Sequence, residues 1–197
     1  MRKKGNAVQM RFGMRAALAA LLLVCLAGCA REEPLSEADK SLFLRPADLA
    51  RYGFQYDDPA SYEKFSKSRQ IDGAWQLKYE FQPDKSERRK VFIYASVSVA
   101  KNESDAALNE GAEAVGMLIG LKASGVEDRE VRMKAGNEQS KLRLLVKGDK
   151  PLGNVFTTRD GRKTYFIVMT GLYFDDAEDW KKLFAPKLEQ LAGYSPV

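Results

Sequence analysis

The amino-acid sequence predicts an α+β fold in which helices cover both faces of an antiparallel β-sheet. Segment 74–81 alternates apolar and polar residues in the way that a strand with one buried face does, and segment 91–100 has apolar residues at every second position. Residues 91–95 and 165–169 are apolar on both strand faces, so the sheet needs cover on each side. Two stretches with helical spacing of apolar residues, within 104–122 and 177–191, are available to supply it.

The first 28 residues have the pattern of a secretory signal peptide, with a basic start and an apolar run over 16–26. That run is too short to cross a bilayer core of ~30 Å. It ends in Leu26-Ala27-Gly28-Cys29, which resembles the lipobox of bacterial lipoproteins. The resemblance implies that Cys29 is diacylated and becomes the first residue of the mature chain. The alternative is a secreted protein with a chance cysteine beside its cleavage site.

The lipoprotein resemblance also implies a location in the bacterial cell envelope. Cys29 is followed by Ala30 rather than by the aspartate that commonly retains such proteins in the inner membrane. In a Gram-negative host we therefore expect an outer-membrane protein on the periplasmic side. Residues 29–40 are charged and contain Pro34, which predicts a tether, with order beginning near Ser41. Residues 41–197 are expected to form a single domain.

Charge and cysteine content exclude several classes of function. Five of the 32 basic residues and none of the 27 acidic ones lie in residues 1–28, so the remainder carries 27 of each. A nucleic-acid-binding protein needs a cationic surplus, which is missing there. The two cysteines are Cys25, in the apolar run, and Cys29, so no thiol is expected in the mature protein. We predict no metal and no cofactor.

Aromatic residues are concentrated where the predicted domain begins. A short helix is predicted over Pro46 to Tyr52, ended by Gly53, and a second begins at Asp58-Pro59. Between and around them the pattern is irregular. The rings there either pin this segment onto the sheet or line a ligand groove. They are Tyr52, Phe54, Tyr56, Tyr62 and Phe65.

The long middle helix is predicted to begin with Ser104 as its cap and to end near Lys122. Leu118 and Leu121 widen its apolar stripe, which we expect to cover the sheet. Its glycines, Gly111, Gly116 and Gly120, are expected to permit close approach of the helix backbone to the sheet. The stripe itself consists of Leu108, Ala112, Val115, Ile119 and Lys122.

The rest of the chain predicts more antiparallel strands and one final helix. Weaker strands are expected over 130–134 and 141–146. A hairpin joins 155–158 to 165–169 through Asp160-Gly161. The last helix follows Asp175-Asp176, and Pro186 is expected to break or bend it.

This order of elements over residues 70–192 is similar to that of the PsbP-like family, which includes photosystem accessory subunits and bacterial lipoproteins. The segments that carry the likeness are Gly153-Asn154-Val155-Phe156 and Tyr165-Phe166-Ile167-Val168. The family is largely non-catalytic. The resemblance therefore implies a binding or assembly role without naming a partner.

Side chains for common catalytic designs are missing. The chain has no histidine, which removes Ser-His-Asp and Cys-His arrangements and histidine-based zinc sites. Ser61 and Lys64 have the Ser-x-x-Lys spacing, but the companion motifs are absent. The pairs Asp57-Asp58 and Asp175-Asp176 precede predicted helices, where aspartate accepts free amide protons, and capping is preferred to acid-base or calcium chemistry.

Four cations are predicted to lie near one another on the hairpin that strands 130–134 and 141–146 would form: Arg132, Lys134, Lys141 and Arg143. If concentrated, they form a patch for an anionic partner. The alternative is a solvated face balanced by Glu130 and Glu138.

Together these observations predict a membrane-anchored envelope lipoprotein that acts as a non-enzymatic module binding a protein or ligand, aiding assembly of a larger complex. One alternative is a carrier of a small apolar or anionic ligand that uses the aromatic segment. Another is an enzyme based on carboxylate or Ser-Lys chemistry.

Overall fold

Antiparallel hairpins form most of the fold. The computed structural model describes residues 31–32, 35–69, 73–84, 86–133 and 140–195. Within these residues there are three α-helices: α1 Glu37–Ser41, α2 Glu103–Ala123 and α3 Ala177–Gly193. Two 3₁₀ helices span Pro46–Tyr52 and Pro59–Tyr62. The strands are β1 Arg31–Glu32, β2 Glu63–Arg69, β3 Trp75–Phe81, β4 Phe92–Val99, β5 Glu127–Val131, β6 Lys141–Lys147, β7 Lys150–Asp160 and β8 Lys163–Thr170.

The seven longer strands form one antiparallel sheet in the order β2-β3-β4-β8-β7-β6-β5. The predicted mixture of helices and an antiparallel sheet is therefore confirmed. In β3 the residues Trp75, Leu77, Tyr79 and Phe81 are buried and alternate with more exposed ones, as the period of two predicts. The β7-β8 hairpin pairs Asp160 with Lys163 around a two-residue turn that Gly161 opens with φ +57°.

Two apolar clusters pack against alternate residues of the central strand β8. Tyr165, Ile167 and Met169 belong to the main core, whereas Phe166 and Val168 belong to a second, smaller cluster. The two long helices, α2 and α3, contact different clusters. The main core contains α3 residues, and the second is contacted by Ala114, Met117, Leu118 and Leu121 of α2.

The main core is rich in stacked and edge-to-face rings. Trp180 and Phe184 of α3 both contact Phe156, with centroids 5.4 and 5.0 Å away. Phe43, between α1 and the first 3₁₀ helix, stacks on Tyr79 at 5.4 Å. Such ring pairs contribute beyond the apolar area that they bury.

Several element boundaries differ from the predictions. Ser36 caps α1, so regular structure begins within the predicted tether of residues 29–40. Residues predicted to be irregular form β2. Asn102, rather than Ser104, caps α2 because its side chain accepts the Asp105 amide proton. Pro186 lies inside α3 without ending it.

The predicted strands at 130–134 and 141–146 appear as β5 and β6. β5 begins and ends three residues earlier than predicted, so Arg132 follows the strand. The 3₁₀ helix Pro46–Tyr52 has the predicted bounds, and Gly53 follows it with φ +81°.

β7 and β8 approach closely at Gly153, where a Cβ atom would lie 1.9 Å from the Met169 carbonyl oxygen. Only glycine fits there without a backbone shift.

Candidate functional site

One stripe of α2 is apolar and open to solvent. Leu108, Val115 and Ile119 are exposed over 72%, 56% and 63% of their surfaces, and Ala112 between them is also exposed. The prediction that these residues cover the sheet is wrong. Of the residues predicted to face the sheet, only the two widening ones, Leu118 and Leu121, contact the second cluster, which they do together with Ala114 and Met117. We name Leu108, Ala112, Val115 and Ile119 the α2 stripe.

The glycines of α2 also face open space. A Cβ atom at Gly111, Gly116 or Gly120 would meet no heavy atom within 4 Å beyond its own local chain. The expected close approach to the sheet at these glycines is therefore wrong. Because the distance between packed helices depends on the side chains at their contact, the open glycines leave room for another helix.

Polar contacts explain why α2 turns this stripe outward. The Glu113 carboxylate accepts a hydrogen bond from the buried Ser96 hydroxyl at 2.7 Å and one from Tyr94 at 3.4 Å. Burial and the Glu113 carboxylate raise the pKa of Tyr94 to about 12, so this hydroxyl remains a donor near neutral pH. With Glu113 held against the sheet, the opposite side of the helix faces solvent.

The predicted cationic patch is largely neutralised where the structure describes it. Lys141 Nζ lies 3.9 Å from the Glu110 carboxylate, and Arg143 pairs with Asp128. Burial opposes ionisation of Asp128, but Arg143 and then Lys122 outweigh it and lower its pKa. Arg132 is exposed, and Lys134 lies outside the described residues. These ion pairs favour a balanced face over a site for an anionic partner.

The aromatic rings of residues 52–65 pack against the main core. One ring is buried and the other four are partly buried against it. Tyr56 and Tyr62 both meet Phe81 edge to face, with centroids 5.0 and 6.1 Å away. The Tyr56 hydroxyl also accepts the Val91 amide proton at 3.1 Å. These contacts favour packing over a ligand groove.

A cavity of about 760 Å³ is lined by residues of α1, β2 and the end of α3. It contains two charged side chains that are almost fully buried, Asp39 and Lys67. Lys67 Nζ lies 3.3 Å from the Asp39 carboxylate and 4.4 Å from the Trp75 ring centroid. The Tyr194 hydroxyl donates to Asp39 at 2.5 Å. Buried, paired charges in a cavity mark either a structural network or a binding site.

We name Asp39, Lys67 and Tyr194 the Asp39 network. Near neutral pH its Asp39 carboxyl group is ionised and its Tyr194 hydroxyl is protonated. Burial opposes ionisation of Asp39, but hydrogen bonds from Tyr194, Ser36 and Lys67 outweigh it and lower the pKa of Asp39. Burial, and then the hydrogen bond to Asp39, raise the pKa of Tyr194. The carboxylate therefore accepts, and the hydroxyl donates. The network joins the start of the described domain to its end.

The candidate catalytic side chains have other partners. The Ser61 hydroxyl donates to the Asp58 carbonyl at 2.8 Å, and Lys64 Nζ lies 3.8 Å from Glu80. Asp176 caps α3 by accepting the Glu178 amide proton, as predicted, whereas the Asp58 side chain makes no capping bond. Within the described ranges, no cluster of three or more His, Cys, Asp or Glu side chains could hold a metal ion.

The sequence did not single out the Asp39 network or the outward face of the α2 stripe. Asp39, Lys67 and Tyr194 are far apart along the chain. The available signal was the two-residue spacing of Phe65 and Lys67, which puts both side chains on one face of a strand. For α2, apolar residues occur on all sides of the helix, so its spacing did not identify the packed side.

Cys29 and the predicted signal peptide lie outside the described residues. None of the described helices has both the length and the hydropathy to cross a membrane. Comparisons of the chain with protein-family models, with curated proteins and with solved structures found no match.

Proposed function

We propose that this protein is a lipid-anchored envelope protein that acts as a non-enzymatic interaction module, with the α2 stripe as its docking surface. One observation carries the proposal. Among the described residues, four large apolar side chains are exposed, and three of them, Leu108, Val115 and Ile119, follow one line on one helix. Exposed apolar residues that are contiguous in this way mark interaction surfaces, whereas scattered ones do not.

The anchor is supported by the sequence around Cys29. A protein held at the membrane by several acyl chains stays there, whereas one chain gives only marginal binding. The balanced charge of residues 29–197 is consistent with partners other than nucleic acid. Ala30 supports placement at the outer membrane, on the periplasmic side, in a Gram-negative host.

We also propose that the helices lie on both faces of the sheet, giving an α/β/α sandwich of the PsbP-like kind. The division of β8 side chains supports this arrangement, because α3 and α2 residues belong to clusters on alternate β8 residues. Alternate residues of a strand point to opposite faces.

The proposal is tested by crosslinking the full-length protein in its own membrane and identifying partners by mass spectrometry. Three variants accompany it: Cys29→Ala, Val115→Glu, and Ala107→Glu as the matched control. Ala107 is an exposed α2 residue outside the stripe. We expect Cys29→Ala to release the protein from the membrane. We expect Val115→Glu to lose a crosslink that Ala107→Glu keeps. Equal crosslinking by the two glutamate variants would reject the docking surface, and unchanged fractionation of Cys29→Ala would reject the anchor.

A second candidate function, a carrier of a small ligand, is favoured by the cavity at Lys67. Its volume of about 760 Å³ lies in the range of ligand pockets, ~300–1,000 Å³. Lys67, Asp39 and Glu189 line it, and two carboxylates beside one ammonium disfavour an anion. Native mass spectrometry of the purified protein tests this function. A co-purified small molecule that is lost in Lys67→Met would support a carrier, and a bare chain would count against it.

A further inference from the structure

The residues on the outward face of α2 are separated by sequence intervals that are the same when counted from either end of the helix. Asp105, Leu108, Ala112, Val115, Ile119 and Lys122 follow one another at intervals of three, four, three, four and three residues. This is the heptad spacing of helices that pack side by side at a shallow angle. Reversing the helix exchanges Leu108 with Ile119 and Ala112 with Val115, so the stripe is complementary to an antiparallel copy of itself.

The charges at the ends of this seam favour that antiparallel copy. The six residues of this seam begin with Asp105 at the amino end and finish with Lys122 at the carboxyl end. The other four seam residues, which form the α2 stripe, are uncharged. In an antiparallel pair each Asp105 lies opposite Lys122 of the other copy, whereas in a parallel pair like charges meet. Lys122 already lies 3.3 Å from Asp128, but its side chain is 63% exposed and an ammonium has three donors.

Small residues flank the seam on both sides. Gly111 and Gly116 exchange places under the same reversal, and each faces open space. In an antiparallel pair Gly111 of one copy and Gly116 of the other therefore lie at the same level on opposite sides of the seam, and neither carries a Cβ atom that would keep the backbones apart. Interaxial distances at the short end of the usual 8–10 Å become accessible.

We propose that the α2 stripe is occupied by the α2 stripe of a second copy of this chain, as a two-fold antiparallel helix pair. The inference rests on the proposed function, in which this stripe is a docking surface. A self-complementary patch of this kind forms a closed dimer. One helix pair falls at or below ~1,200 Å², the low end of specific interfaces, so the dimer is concentration-dependent and is favoured by confinement at a membrane.

Cysteine crosslinking tests the orientation directly. In the antiparallel pair Leu108 lies opposite Ile119 of the other copy, while the two Leu108 residues are ~16 Å apart along the axis. A disulfide needs Cα atoms within ~7 Å. We therefore expect the full-length Leu108→Cys/Ile119→Cys variant, oxidised in its membrane, to form a covalent dimer. Leu108→Cys and Ile119→Cys alone remain monomeric, and the unaltered chain reports any background from Cys25 and Cys29.

Crosslinking of the single variants would mean a parallel pair and would overturn the proposal, as would the absence of any dimer in the double variant. Sedimentation of the detergent-solubilised protein gives a second measurement. We expect Val115→Glu, which places a carboxylate in the seam, to weaken dimerisation by roughly tenfold or more, with Ala107→Glu unchanged. If the protein is monomeric throughout while Val115→Glu still loses a heterologous crosslink, the self-pairing fails and the docking surface stands.

Discussion

The two long helices are attached to the sheet by different kinds of contact. α3 inserts Trp180, Leu183 and Phe184 into the main core, and these side chains are almost fully buried. α2 is held by the carboxylates of Glu110 and Glu113 and by a few partly buried apolar residues, while its large apolar stripe is exposed. The contrast teaches that the packed side of a helix depends on what the sheet presents, and not on apolarity alone.

The largest expected effect comes from α3. Replacing Trp180 by alanine removes a ring that contacts Phe156, Phe174 and Phe184, and we expect a loss of about 3–5 kcal/mol in the free energy of unfolding. Urea titration measures it. Val115→Ala on α2 is the control, since its side chain is already half exposed. A comparable loss in the control would remove the contrast between the helices.

The next largest loss in the free energy of unfolding is expected from the Asp39 network. Asp39→Ala leaves the buried Lys67 without its carboxylate, for an expected loss of about 3 kcal/mol at neutral pH. Because the pKa of Asp39 is lowered in the folded state, its contribution is present above its usual value of 3.8. That contribution is lost as the pH falls through the lowered pKa.

The difference in unfolding free energy between the natural protein and Asp39→Ala should therefore narrow only below about pH 4. Glu37→Ala is the matched control, because it removes an exposed carboxylate of the same helix whose pKa is lowered by its hydrogen bond from Lys40. We expect the same direction of pH dependence at a much smaller amplitude, since exposed ion pairs contribute little. A difference that stays constant to the lowest pH at which the protein folds would show that ionised Asp39 is not the stabilising species.

A smaller effect is expected from the polar attachment of α2. Glu113→Ala removes the acceptor of the buried Ser96 hydroxyl, for an expected loss of about 1–2 kcal/mol. Glu113→Gln keeps an acceptor oxygen and should lose less. Chemical denaturation of both variants checks the order. No loss in either variant would mean that the apolar contacts of α2 alone decide its packed side.

The smallest effect on unfolding is expected from the stripe. Ile119→Ser changes an exposed side chain, so the free energy of unfolding of the dilute monomer should stay within about 0.5 kcal/mol. The same variant should reduce association in concentrated samples, measured by sedimentation. A large loss of monomer stability would show that the stripe belongs to the core of a single chain.

The sequence predicted the elements whose patterns are local. The alternation in 75–81 gave β3, and Pro46 with Gly53 gave both ends of a 3₁₀ helix. β2 escaped prediction because a charged residue, Lys67, occupies a buried position on the strand, where Asp39 and the Trp75 ring receive it. Those partners lie 28 residues before Lys67 and on another strand, so no local pattern contains them.

The candidate surface was within reach of the sequence, but its orientation was not. The spacing of Leu108, Val115 and Ile119 was recognised and assigned to the sheet. That assignment failed because Glu113 finds its partners on β4 and Glu110 finds one on β6, and these pairings are fixed only in three dimensions. We therefore infer that the charged residues of α2, together with the apolar residues on the same side, select its packed side.

The bond between Tyr194 and Asp39 brings the two ends of the described domain together, and Ser36 and Ser195 line the same cavity. A short loop from residue 195 to residue 36 would close the chain into a ring, which could be reopened at the Gly161 turn with the seven longer strands still paired.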